Sequence, residues 1–143
     1  HNQRIGLGYG VEHDKAESLI EQNLFNHNRH SIAGTGAPGS GYEARDNVEL
    51  GTAVGHCFDM HGGADRKDGT TIAGTWIAIH HNTFRAYAMP VNIRGAPERG
   101  AEVRHNWFLY DQQVGLFRSS NGVPSNVAVR DNAFGSTRPV VHR

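Results

Sequence analysis

Apolar and polar residues alternate with a period of two in several short stretches of the chain, and five of these share one ending. They are SLIEQNLF (Ser18 to Phe25), YEARDNVE (Tyr42 to Glu49), IAIHHNTF (Ile77 to Phe84), AEVRHNWF (Ala101 to Phe108) and VAVRDNAF (Val127 to Phe134). A period of two is the signature of a strand, whose side chains point alternately to opposite faces. Each stretch closes on an asparagine: Asn23, Asn47, Asn82, Asn106 and Asn132, spaced by 24, 35, 24 and 26 residues. In four of the five an x-Phe follows. A second alternating segment comes later in each repeat: SIAGTG, CFDMHG, PVNIRG, VGLFRS and RPVVHR.

Two short strands per two dozen residues, with an amide at each corner, predict an all-β parallel β-helix, a solenoid of about five to six coils. One coil cannot bury its apolar face, but stacked coils can. Asparagines at equivalent corners can pass hydrogen bonds along the stack as a ladder, and the phenylalanines would stack inside. The competing architecture is an antiparallel sandwich, which needs no residue-specific repeat. The longer interval holds an insertion, residues 63–75 (GADRKDGTTIAGT), expected as a loop on one side of the stack. The one stretch with helical character, Asp14 to Asn23, competes with the first strand. Residues 1–143 read as one β-helix domain, expected to be part of a longer β-helix or to associate end to end, because open ends would expose strand edges.

The alternation assigns faces. Inward lie Ser18 and Ile20, Tyr42 and Ala44, Ile77 and Ile79, Ala101 and Val103, Val127 and Val129. The second segments turn in Ile32 and Gly34, Phe58 and Met60, Val91 and Ile93, Gly115 and Phe117, Pro139 and Val141. These columns are apolar or small, and a one-residue slip would invert them all.

Composition narrows the function classes. Fourteen Lys plus Arg balance fourteen Asp plus Glu, so no nucleic-acid footprint or polybasic membrane patch is expected. No apolar run is long enough to span a bilayer. The single Cys57 excludes an internal disulfide and reads as an inert buried thiol. Only Lys15 and Lys67 are lysines, so the basic residues are almost all arginine, the side chain suited to bidentate carboxylate recognition. The chain begins at His1 rather than Met, as a processed form or a fragment would.

The candidate chemistry gathers on outward positions. Asp59 and His61 project side by side from CFDMHG, with His56 at its entrance, Arg29 and His30 at the matching corner of the preceding coil, and Asn92 and Arg94 one coil on. His61, Asp59, His56, His30 and Arg94 are the catalytic candidates. Arg29, Asn92, Arg118, Glu43, Arg45 and His80 are candidates for substrate contact. Glu43, Arg45, His80, Glu102, Arg104 and Arg130 also form an outward column that reads as a salt-bridge ladder. His81 and His105 precede ladder asparagines and read as corner residues. His30, His56 and His61 with Asp59 have ligand types that suit a transition metal, but need neighbours at set distances. Asp65 and Asp68 are weak calcium candidates, since the spacing of a known calcium loop is absent. No other cofactor is indicated.

On these coils and corners the chain resembles the right-handed parallel β-helix repeat superfamily, the pectin-lyase-like fold, from Val11 to Arg143. HCFDMHG (His56 to Gly62) is similar to the active-site strand of mannuronan C5-epimerases and related alginate lyases, whose pattern is Phe-Asp-Pro-His closely preceded by Tyr or His. Asp59 and His61 match its aspartate and histidine, and His56 falls where its Tyr stands; Met60 replaces the proline and Gly62 an acidic residue. The resemblance implies a secreted or cell-surface polysaccharide lyase or C5-epimerase that abstracts the C5 proton of a uronate. His61 would be the base oriented by Asp59, His56 or His30 the acid, and Arg94 or Arg29 the cation that neutralises the substrate carboxylate. The alternatives are a non-catalytic glycan-binding or structural surface module, which could self-stack, and a glycoside hydrolase using Asp59 with Glu43 or Asp65.

Overall fold

A computed structural model describes residues 7–50, 53–86, 89–109 and 126–135. The described chain is all-β apart from one helical turn, and its strands lie in three parallel sheets. The first sheet holds β1 (Tyr9–His13), β4 (His30–Gly34), β7 (Phe58–Met60) and β10 (Val91–Ile93). The second holds β2 (Glu17–Glu21), β5 (Gly41–Arg45), β8 (Trp76–His80), β11 (Ala101–Arg104) and β13 (Val127–Arg130). The third holds two-residue strands: β3 (Leu24–Phe25), β6 (Val48–Glu49), β9 (Thr83–Phe84), β12 (Trp107–Phe108) and β14 (Ala133–Phe134). The chain visits the three sheets in a fixed rotation, and equivalent strands of successive repeats pair in register, as in Tyr42 with Ile77 and Asn92 with Asp59.

Each repeat thus has three strands where the alternation suggested two. The asparagine divides the first segment, because the residue before it turns the chain through the left-handed region. Gln22, Asp46, His81, His105 and Asp131 all sit there, with φ between 52° and 57°. Few non-glycine residues adopt that conformation without support. The support is the asparagine ladder. Asn23, Asn47, Asn82 and Asn106 each donate Nδ2 to Oδ1 of the next, at 3.0 to 3.1 Å, ending on Asn132. The same oxygens accept the backbone N–H of the preceding asparagine, as Asn106 Oδ1 does from Asn82 N at 2.9 Å. One side chain thereby satisfies the backbone of two corners.

The inward columns are core. Tyr42, Ala44, Ile79, Phe58, Met60, Val91 and Val103 are fully buried. Phe84 stacks on Phe108 at 4.8 Å and Phe108 on Phe134 at 5.4 Å. In the second repeat Glu49 takes the phenylalanine position, buried, with the Ser31 hydroxyl donating to it. Phe58 fills that gap from another sheet, edge-on to Phe25 and Phe84. Full burial of such a ring contributes about 1.5–3 kcal/mol. Gly34 has to be small, because a Cβ there would lie 2.7 Å from Met60 Sδ and from His13 Nε2. Cys57 is buried as expected, and burial pushes its thiol up.

Three local outcomes differ from expectation or resolve it. The Asp14 to Asn23 stretch holds strand β2 and no helix. Strand β1 had no signal of its own: YGVEH lacks a preceding Asn-x-Phe, yet it pairs with β4 from Tyr9 opposite His30. The insertion contains one helical turn, α1 (Gly63–Arg66), where Asp65 accepts the Gly62 N–H at 2.9 Å. Arg66 ties this turn down, donating to the carbonyls of Thr35 and Ile72. The segments VGLFRS and RPVVHR, and Arg118 with them, lie outside the described residues. No helix among the described residues is long and apolar enough to cross a membrane.

Candidate functional site

Strand β7 has only three residues, and its alternation turns Phe58 and Met60 into the core and Asp59 to the outer face. In register beside Asp59 stand Ala33 on β4 and Asn92 on β10. Ala33 is short, so longer side chains can close over the carboxylate. They do: the Asp59 side chain is 0% exposed. The expectation that Asp59 projects to solvent is therefore corrected, and the cause is its neighbours. Arg94 folds over it, donating Nε to Oδ1 at 3.0 Å and Nη2 to Oδ2. Asp65, on the α1 turn, holds Arg94 from the other side through Nη1 at 2.9 Å.

Three imidazoles complete the group. His61 Nε2 lies 3.3 Å from Asp59 Oδ2, His56 Nδ1 3.7 Å from Oδ1, and His30 Nε2 3.9 Å from Oδ2. His30 belongs to β4 rather than to a corner, and is buried between the rings of Tyr9 and His56 at 5.6 and 5.4 Å. Its Nδ1 lies 2.7 Å from the His56 carbonyl. Asn92 Nδ2 approaches His56 Nδ1 at 3.0 Å.

The charges follow from this packing. Burial alone would push the Asp59 carboxyl up. The Arg94 guanidinium and the His56 and His61 rings around it overcome this and hold the group far below the usual carboxylate range. Burial pushes His30 down, more than its bond to the His56 carbonyl and the Asp59 charge raise it. The His30 Nδ1–H donates to the His56 carbonyl, which leaves Nε2 turned toward Asp59 at 3.9 Å. His61 is the accessible ring, with its side chain 28% exposed.

Other candidates stand elsewhere. Arg29 donates Nη1 to the Tyr9 hydroxyl at 3.0 Å and lies over that ring, at the far end of the Tyr9–His30–His56 stack from β7. It makes no ion pair among the described residues. Glu43, Arg45 and His80 lie on the second sheet and pair among themselves and with Glu21, none with Asp59. Of the calcium candidates, Asp65 is engaged by Arg94 and Gly62, and Asp68 by Arg66 and Thr70. Arg94 likewise is not free to meet a substrate carboxylate, being held by two acidic groups.

Tyr9 and the bracing role of Asp65 were missed from the sequence, since the first lies in an unmarked strand and the second in an irregular turn. No family model, no curated protein and no solved structure matches the chain. The site is therefore read from its own geometry.

Proposed function

We propose that the chain is a right-handed parallel β-helix whose β4–β7–β10 face acts on a uronate-containing polysaccharide, as a lyase or C5-epimerase. The coil is supported by the fixed rotation through three parallel sheets, and the right hand by the rule for parallel crossovers. The observation that carries the function is the buried, ionised Asp59 beside the accessible His61. With His61 Nε2–H donating to Asp59, Nδ1 is a lone pair held in place, the arrangement of an oriented general base.

In this reading His61 takes the C5 proton, and the C–H electron pair passes into the adjacent carboxylate as an enolate. In a lyase the pair then forms the C4–C5 double bond as the O4 bond breaks, and the leaving oxygen gains a proton. In an epimerase a proton returns to C5 from the opposite face. His56, part-exposed, is the acid in either case; His30 is buried and positions His56 through its carbonyl. Arg94 fixes the Asp59 carboxylate, and Arg29 is placed to meet an acidic group on a more distant sugar. Such a substrate puts the protein outside the cell or on its surface.

A non-catalytic glycan-binding module is the second reading. It is favoured by the double engagement of Arg94, which leaves the enolate without an arginine partner next to His61. A glycoside hydrolase has less support, because Asp59 and Asp65 share Arg94 and Glu43 is on another sheet.

The test is incubation with polymannuronate, polyguluronate and polygalacturonate, with and without calcium. Unsaturated products are followed in the ultraviolet and inversion at C5 by proton NMR. Wild type should act on one of these polymers, and His61→Ala should fold but show no turnover. Full activity in that variant sinks the assignment.

A further inference from the structure

We infer that His30 Nε2, His56 Nδ1 and the Asp59 carboxylate form a binding site for a divalent transition metal ion of the zinc type. One ligand atom from each of the three residues lies within 4.8 Å of the others, with His30 Nε2 3.9 Å from Asp59 Oδ2 and His56 Nδ1 3.7 Å from Oδ1. Around a tetrahedral ion with bonds of about 2.0–2.2 Å, ligand atoms stand about 3.4 Å apart. Closing on an ion therefore needs small inward shifts of rings already stacked face to face.

The strongest pointer is His30. Its residue is 1% exposed, and Nε2 is buried without a hydrogen-bond partner, facing the carboxylate. A buried ring nitrogen opposite a carboxylate at 3.9 Å, with no hydrogen-bond partner, is a costly arrangement. A metal ion between them satisfies both. The Nδ1–H bond to the His56 carbonyl is the outer contact that fixes a ligating histidine in the right tautomer and orientation. His56 Nδ1 already faces electropositive groups, the Asn92 amide at 3.0 Å and Arg94 Nη2 at 3.4 Å, as a lone pair would. Asn92 Oδ1, also buried without a partner, adds an acceptor beside the site.

Charge permits the ion despite Arg94, because Asp59 and Asp65 bring two negative charges against its one. Arg94 and His61 take the two lone pairs of Asp59 Oδ2, and Arg94 takes one of Oδ1, so Oδ1 keeps a lone pair for the ion. Two imidazoles and a carboxylate suit zinc, whereas calcium and magnesium prefer oxygen ligands. Three protein ligands also leave a fourth position open for water or a substrate oxygen.

Metal binding does not depend on the lyase reading and is measured without substrate. Metal-free protein is titrated with Zn²⁺ alone by calorimetry, and with Co²⁺, whose visible bands report tetrahedral geometry. Wild type should bind one ion per chain. His30→Gln and His56→Gln should each weaken binding by about 100-fold or more, beyond the 10–100-fold typical of outer contacts. Glu102→Gln, on the second sheet, should bind as wild type does. The His56 substitution, at a part-exposed ring, keeps the test valid if the buried His30 variant fails to fold. Absence of stoichiometric Zn²⁺ binding by wild type overturns the site, as does unchanged binding in folded His56→Gln. Stoichiometric binding by a protein that turns over no uronate polymer keeps the metal site and removes the lyase reading.

Discussion

Two of the three sheets carry the same kinds of side chain on their outer faces and use them differently. On the second sheet Glu21, Glu43, Arg45, Glu102 and Arg130 pair across strands, largely exposed: Glu21 with Arg45 at 2.7 Å, Glu102 with Arg130 at 3.4 Å. On the first sheet Asp59, Arg94 and three histidines close over one another, and the carboxylate has no exposure. Alternation is identical on both. The difference comes from the short residue beside Asp59, Ala33, and from the α1 turn, whose Asp65 braces Arg94 from outside. Exposed pairs of the first kind typically contribute about 0.2–1 kcal/mol. Removing one partner of a buried pair strands the other charge and costs about 3–5 kcal/mol.

Asp59→Ala, leaving Arg94 half-buried with Asp65 alone, should therefore lower stability in urea by about 3–5 kcal/mol. A loss under 1 kcal/mol would place Asp59 in the same class as the exposed ladder.

The corner comes next. Asn82→Ala removes buried bonds to Asn106, Ala44 and His80 and leaves Asn47 without its acceptor. Unsatisfied buried groups cost about 1–3 kcal/mol each, so a loss of about 3 kcal/mol is expected. Asn23→Ala, at the exposed end of the ladder, should lose about 1 kcal/mol. Equal losses at the two positions would deny that burial sets the ladder's strength.

Acid titration sharpens the contrast further. A carboxyl whose folded pKa is depressed stabilises the fold above its unfolded value, about 3.9, and loses that contribution as pH falls through the folded value. For Asp59 the folded value is far below the ordinary range, so the loss starts near pH 4 and continues to the lowest pH reached. Glu102 is also lowered, by Arg104 and Arg130, but at an exposed site. In metal-free protein, the fall in stability between about pH 4 and 2 should be much shallower in Asp59→Asn than in Glu102→Gln or wild type. The smallest effect belongs to the ladder itself: Arg130→Ala should change stability by less than about 0.5 kcal/mol, checked by thermal melting.

The parts of this structure written in a period or a repeat were legible in the sequence. Alternation assigned Tyr42, Phe58, Met60 and Ile79 to the core, and the Asn-x-Phe spacing located the ladder from Asn23 to Asn132. The split into three strands was hidden, because no residue type marks the left-handed position; Gln22, Asp46, His81, His105 and Asp131 share a backbone angle, not a chemistry. The members of the Asp59 group were legible too, since successive repeats bring His30, Asp59 and Arg94 onto, or next to, neighbouring strands of one sheet. Its burial was not. That depends on Arg94 folding back over Asp59 and on a turn in the insertion, and neither follows from periodicity. Tyr9 was invisible because β1 precedes the first asparagine of the series.

The central claim is that the Asp59–His61 face moves the C5 proton of a uronate, and hydrogen exchange at that carbon tests it most directly. The protein is incubated with uronate polymers in deuterium oxide, and C5 is followed by NMR. Wild type should place solvent deuterium at C5 or release an unsaturated sugar lacking that hydrogen. Glu102→Ala, on the exposed ladder, should do the same at the wild-type rate, and His61→Ala should do neither. Equal exchange in His61→Ala, or cleavage that leaves the C5 hydrogen untouched, would contradict the account.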